Sequence, residues 1–139
     1  MTILLDTSVL VASIVPKDIH HHEAIRLLRS LETSNEWRII SAPVLNELFY
    51  FVTRELGYRY AVSAFVNVQK VFEIAALTSV DMLRMQQIML HYADSKLDFA
   101  DTAIMAQAER LNITRIATFD HRDFEIFRPT HCEYLELLP

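Results

Sequence analysis

Four carboxylates in this chain stand where a carboxylate is costly. Asp6 follows the apolar run Ile3, Leu4 and Leu5 and precedes two hydroxyls, Thr7 and Ser8. Glu47 lies on the edge of an apolar stripe, with Val44 three residues before it and Phe51 four after. Asp101 shares a helical face with Ile104 and Met105, and Asp120 follows the β-rich stretch ITRIAT. A charge set beside core positions is expensive unless something positive meets it. Each acid alone has an ordinary reading: Asp6 and Asp101 as helix caps, Glu47 as a solvated helix residue. Taken together they point to chemistry. Carboxylates brought near one another repel and raise each other's pKa, and a hard divalent cation relieves that conflict. Mg²⁺ takes oxygen ligands and keeps several waters. One or two Mg²⁺ or Mn²⁺ ions, about 3.5–4 Å apart in two-metal sites, can activate a water and stabilise the leaving oxygen of a phosphodiester. No serine or cysteine triad is evident.

The elements that must position these acids alternate in type. Residues 2–5, 37–42, 72–77, 113–118 and 134–137 read as short strands, the last at a sheet edge. Between them the apolar spacing predicts helices over residues 7–14, 17–32, 44–56, 59–72, 80–93 and 97–112. Pro43 suits a first helical position, Ser79 a cap, and Gly57 and Asn112 helix ends. Strands alternating with helices imply an α/β fold with a mostly parallel sheet covered on both faces. Asp6 and Asp120 then both follow strands, where open parallel sheets gather their ligands. No repeat or linker interrupts the pattern, so residues 1–139 read as a single domain.

Composition narrows the function. Hydrophobic residues make up 52% of the 139, enough to build a core. A net charge of −5 argues against coating nucleic acid by charge alone, though not against an enzyme whose acids sit in one site. The single glycine, Gly57, leaves no glycine-rich phosphate loop. Cys132 is the only cysteine, which excludes an internal disulfide and a thiolate zinc site and fits a reducing cytosol. No apolar stretch has the length of a membrane span, and the N-terminus lacks the pattern of a secretion signal. A cytoplasmic protein is expected. His20, His21 and His22 read as solvated surface at a helix start. His121, Arg122 and Arg128 follow Asp120 either as a charged loop or as phosphate contacts, where arginine can bind oxygens bidentately.

In order and spacing, LLDTSVLVA, APVLNELFY, LDFADTAIMAQAERL and IATFDHRDF resemble the PIN-domain proteins of the VapC toxin type, and HHHEAIRLL resembles their second helix. The resemblance covers nearly the whole chain. It implies a three-layer α/β/α sandwich and a Mg²⁺- or Mn²⁺-dependent ribonuclease. It also implies that Asp6, Glu47 and Asp101 ligate metal, and that Asp120 ligates through water or orients. Thr7 or Ser8 matches the family's hydroxyl after the first acid. Asp123 would stand close by, and Asp98 would take a minor role. Arg54, Arg59 and Lys96 are further candidates for an RNA track. The resemblance implies two protein partners, a second copy of the chain and a cognate antitoxin laid across the site. The aromatic stretch Phe49, Tyr50, Phe51, Tyr58, Tyr60 and Phe65 offers surface for a partner.

Other readings stay open at this level. The same chemistry would serve RNA processing or DNA cleavage. A non-catalytic Mg²⁺-binding module, such as a phospho-receiver, needs adjacent acids after the first strand and a lysine after a late one. Here Thr7 follows Asp6, and Phe119 and Asp120 stand at the lysine's place.

Overall fold

A computed structural model describes residues 1–139 and shows five parallel strands with helices on both faces. The strands are β1 (Thr2–Leu5), β2 (Trp37–Ser41), β3 (Glu73–Ala75), β4 (Arg115–Ala117) and β5 (Glu136–Leu138). Their order across the sheet is β3-β2-β1-β4-β5, and every pairing is parallel. The expected three-layer α/β/α architecture is present, with the sheet wholly rather than mostly parallel. Ile3, Leu4 and Leu5 are fully buried. That suits the central strand of a sheet covered on both sides.

Between β1 and β2 run α1 (Thr7–Ile14) and α2 (His21–Thr33); between β2 and β3 run α3 (Ala42–Leu56) and α4 (Tyr58–Val71). α5 (Ser79–His91), a 3-10 turn (Ala93–Ser95) and α6 (Phe99–Leu111) lead to β4, and α7 (Arg122–Ile126) precedes β5. The chain steps outward from β1 to β3, then crosses back to β4. Right-handed crossovers therefore put α1–α4 on one face and α5–α7 on the other. The packing agrees: α1 meets α2 and α3, α3 meets α4, α5 meets α6, and α6 meets α7. The order of strand addition reverses at β1, with β4 placed on its other side, which makes the gap beyond the carboxyl ends of β1 and β4 the switch point of the sheet. A continuous cluster of 30 buried residues fills both layers.

Several boundaries differ from those expected, for local reasons. α5 is capped by Thr78 rather than Ser79. The Thr78 hydroxyl accepts from the Asp81 N–H, and the Asp81 carboxylate accepts from the Thr78 N–H, a capping box. α3 begins at Ala42, one residue before Pro43. α2 begins only at His21, and β3 and β4 are three residues long, because ladder partners extend no further. β5 spans Glu136–Leu138, starting two residues and ending one residue later than the expected 134–137. Gly57 ends α3 with φ +95, and Asn112 ends α6 in the left-handed region.

Asp81 carries a second burden. Its fully buried carboxylate also accepts two bonds from the Arg110 guanidinium, at 2.6 and 2.9 Å, while Arg84 and Glu109 make the matching fork at 2.6 and 2.9 Å. These two pairs bolt α5 to α6, the helix that carries Asp98 at its cap and Asp101. Asp81→Ala removes the carboxylate half of the capping box and one fork together, while Thr78 still accepts from the residue-81 N–H. Arg110, about a third exposed, can rehydrate, so the expected loss is about 2–3 kcal/mol. Urea unfolding checks it, and a loss below about 0.5 kcal/mol would mean the pair contributes only as an exposed one does.

Candidate active site

Three features of the chain bring acids to the switch point. Asp6 is the residue at which β1 becomes α1, and its N–H donates to the Ala117 carbonyl of β4 at 2.9 Å. It stands at the N-cap of α1, but its side chain makes no geometric capping bond to the helix backbone. α3 starts directly after β2 and carries Glu47 in its second turn. α6 runs into β4 and so points its N-terminus at the same end of the sheet. Asp98 caps it, accepting from the Ala100 N–H at 3.1 Å, and Asp101 stands in its first turn. The start of a helix favours negative charge.

A cleft of about 610 Å³ opens there. Asp6, Thr7, Ser8, Glu47, Asp98, Asp101, Asp120 and Asp123 all line it. Asp6, Asp101 and Asp123 are buried, only 4–7% exposed, while Asp98 and Asp120 are exposed. Hydroxyls hold the acids. Ser8 and Thr118 each donate to Asp6 Oδ2 at 2.8 Å, and Thr7 donates to Glu47 Oε1 at 2.7 Å. The Thr118 hydroxyl also accepts from the Asp120 N–H at 3.0 Å, tying the two acids through one side chain. Asp123 Oδ2 accepts from the Asp98 N–H at 3.2 Å. The Asp120 carboxylate has no protein partner.

Two of the three basic side chains lining the cleft are held in ion pairs, and Lys96 makes none. Arg122 pairs with Asp123 at 2.6 Å, and Arg54 with its neighbour Glu55. None of the ion pairs in the structure engages Asp6, Glu47, Asp98, Asp101 or Asp120. The electrostatic consequence is direct. Burial pushes the Asp101 carboxyl up to about 9, helped by the charges of Asp6 and Asp98 and by a bond from its protonated form to Asp123. Burial also raises Asp6, against the opposing bonds from Thr118 and Ser8. Glu47 is raised by burial and by Asp98 and Asp6, against its bond from Thr7. This is the signature of a functional cluster rather than a structural ion pair.

A donor set made only of carboxylate and hydroxyl oxygens fits a hard divalent cation. The acids ring the cleft rather than converging, and no three of them form a ready-made cluster.

The structure brings together all eight acids and hydroxyls singled out from sequence, Asp6, Thr7, Ser8, Glu47, Asp98, Asp101, Asp120 and Asp123. Arg122 reaches the cleft; Arg128 does not. α7 carries Arg128 to a separate cavity with His121 and Tyr134, where its guanidinium donates to the Glu125 carbonyl. Thr118 was not singled out, although a hydroxyl two residues before Asp120 at a strand end was visible. His20 lines the cleft instead of lying on open surface, and His21 bonds the Ala12 carbonyl.

Asp101 makes stability depend on pH. The unfolded chain ionises Asp101 above its ordinary 3.8, whereas the folded chain holds the proton up to about 9. A raised folded pKa contributes stability that is complete below the unfolded value and lost as pH rises through the folded one. Metal-free protein should therefore melt progressively lower between about pH 4 and about pH 9, and Asp101→Asn should flatten most of that slope. Thermal melts across pH decide it; an equal slope in the variant would assign the effect elsewhere.

Residues 3–128 match the sequence profile of the PIN domain. A ribonuclease, VapC26 of Mycobacterium tuberculosis (strain ATCC 25618 / H37Rv), is 24% identical over 127 residues, 91% of this chain and 92% of that protein. The fold is similar to the crystal structure of Mycobacterium tuberculosis VapC20, a Sarcin-Ricin loop cleaving toxin. That match has TM-score 0.78 and 23% identity, over 94% of this chain and 98% of that one. It is also similar to VapBC2 from Rickettsia felis bound to a DNA fragment from its promoter. There the TM-score is 0.71 and the identity 20%, over 99% of this chain and 97% of that one. With a profile match over nearly its whole length and this arrangement of acids at the switch point of a parallel sheet, the chain belongs to the PIN-domain family.

Proposed function

We propose that this protein is a Mg²⁺- or Mn²⁺-dependent endoribonuclease, the toxin of a type II toxin–antitoxin pair, acting as one domain in the cytoplasm. The observation that carries the reading is the cleft in which the carboxylates of Asp6, Glu47, Asp98, Asp101 and Asp120 have no basic partner. The ribonuclease and toxin relatives support it.

Asp6, Glu47 and Asp101 would hold the ion, with Asp98, Asp120 and Asp123 around them. When bound, the ion supplies Lewis-acid stabilisation of the phosphodiester and lowers the pKa of water. The protein's own groups do the rest. Ser8 and Thr118 fix the rotamer of Asp6, and Thr7 fixes that of Glu47. Neutral hydroxyls orient the acids without cancelling their charge. Asp123 keeps Asp101 in place, and Asp120, unpartnered and exposed, orients the incoming water. Arg122 sits at the phosphate's approach. In-line hydrolysis breaks the bond to O3′ and leaves 5′-phosphate and 3′-hydroxyl ends.

Two protein partners belong to this reading. VapBC assemblies among the similar structures support a cognate antitoxin. The exposed apolar side chains of Tyr50, Tyr58, Tyr60 and Phe65 on α3 and α4 offer cover for that partner or for a second copy. No helix is long and apolar enough to cross a membrane.

Purified protein, freed of antitoxin, is expected to cut a labelled total-RNA pool in Mg²⁺ or Mn²⁺ and to stop in EDTA. Asp6→Asn and Asp101→Asn should lower the rate at least about 100-fold while remaining folded. Full activity in Asp6→Asn, or cutting that survives EDTA, would overturn the assignment. At about pH 8, Mg²⁺ should raise the melting temperature of wild type and leave that of Asp101→Asn nearly unchanged, because binding to the folded state stabilises it by mass action.

A further inference from the structure

A cleft rich in carboxylates has little means of holding a polyanion by charge. Only Arg54, Lys96 and Arg122 among its lining residues are basic, and two of these are already paired. An aromatic pair stands beside the acids instead. The imidazole of His20 lies flat on the ring of Phe119, with centroids 4.2 Å apart and planes 6° from parallel. Both residues line the cleft. Phe119 is half-buried against the core cluster, so His20, its side chain 42% exposed, is the accessible end of the stack.

The stack is fixed relative to the acids. The Phe119 N–H donates to Ser8 Oγ at 2.9 Å, and Ser8 donates to Asp6 Oδ2 at 2.8 Å. Two hydrogen bonds thus join the aromatic backbone to the central carboxylate. On the other side, the His20 N–H donates to Asp18 Oδ1 at 2.8 Å, and the His20 carbonyl accepts from Ala24 N–H at 2.8 Å as α2 begins. These bonds fix the backbone at His20, while the ring edge meets Glu23 Oε2 at 3.6 Å from Nδ1 and 42% of the side chain stays exposed.

We propose that His20, seated on Phe119, is a base-binding residue that takes a nucleobase next to the scissile phosphate onto the outer face of its ring. The proposal rests on the ribonuclease reading above and adds to it the means of substrate capture. Unstacked bases of single-stranded or looped RNA stack readily on aromatic rings, and such contacts need no positive charge. Where charge is scarce, stacking supplies the affinity. Its link through Ser8 to Asp6 would set which phosphodiester meets the acids.

The test starts by mapping wild-type cuts in total RNA with Mg²⁺ or Mn²⁺. An oligoribonucleotide spanning a mapped bond is then assayed intact and with each nucleotide in turn made abasic. His20→Ala should raise KM about 5- to 100-fold, the range of one lost base stack, with kcat within about threefold. His20→Phe should restore KM and His20→Lys should not. One abasic position that raises KM for wild type should cost His20→Ala nothing. An unchanged KM in folded His20→Ala overturns the proposal and leaves the nuclease reading standing. So does rescue by lysine as good as rescue by phenylalanine, or a wild type indifferent to every abasic position; the last needs no variant to fold. Folded wild type that cuts nothing in either metal removes the nuclease reading and this proposal with it.

Discussion

Mutual repulsion among carboxylates held at the switch point of the sheet is the constraint on which the rest of this structure turns. β1 and β4 are neighbours because the order of strand addition reverses at β1, and their ends deliver Asp6 and Asp120 to one place. Two helix starts then add Glu47, Asp98 and Asp101. Left without a counterion, such a group resists ionisation. Asp101 answers by keeping its proton up to about 9, chiefly because it is buried and then because Asp6 and Asp98 face it. The folded chain alone carries an unresolved cost there, of the kind that persists at functional sites because the surrounding structure enforces it.

The protein treats its other buried acids differently. Asp81 receives the Arg110 guanidinium, Glu109 receives Arg84, and Glu36 receives Arg115. Arginine suits this work because its planar fork satisfies both carboxylate oxygens. At the cleft the same chain uses Thr7, Ser8 and Thr118. A hydroxyl donates one hydrogen bond and brings no net charge, so it fixes a carboxylate's direction while leaving its negative potential intact. An arginine at Thr118 would satisfy Asp6 and silence it. Guanidinium pairs fasten α5 to α6 and Glu36 to β4, and in the cleft Arg122 takes Asp123, whereas Asp6 and Glu47 are held by hydroxyls.

Much of this was legible in the sequence because it depended on local patterns. Apolar runs of two periods gave five strands and the main helices between them, and the acids stood at visible ends of those runs. What escaped depended on partners far along the chain. His20 sits in a histidine triplet that looks solvated until Phe119, near the other end of the sequence, packs beneath it. Asp123 in FDHRDF is expected near the site only from the resemblance, and the turn into α7 is what buries it, its carboxylate accepting from the Asp98 N–H. Arg122 and Arg128 both follow Asp120 as candidate phosphate contacts, yet the short helix α7 turns Arg128 toward another cavity. The Thr78 cap was a local signal, a hydroxyl three residues before an acid, obscured by the adjacent Ser79.

The hydroxyl-held cluster also bears on what such a site can bind. An acidic cleft in a chain of net charge −5 repels RNA at a distance, so approach by long-range steering is weak. A divalent ion seated among the acids reverses the local sign, but only over a short range once salt screens it. The substrate must therefore be retained by contacts that act at touching distance. Shape, hydrogen bonding and stacking meet that requirement, and all three favour exposed bases over the backbone of a regular duplex. On the ribonuclease reading proposed above, the same electrostatics would bias the cleft toward looped or single-stranded RNA.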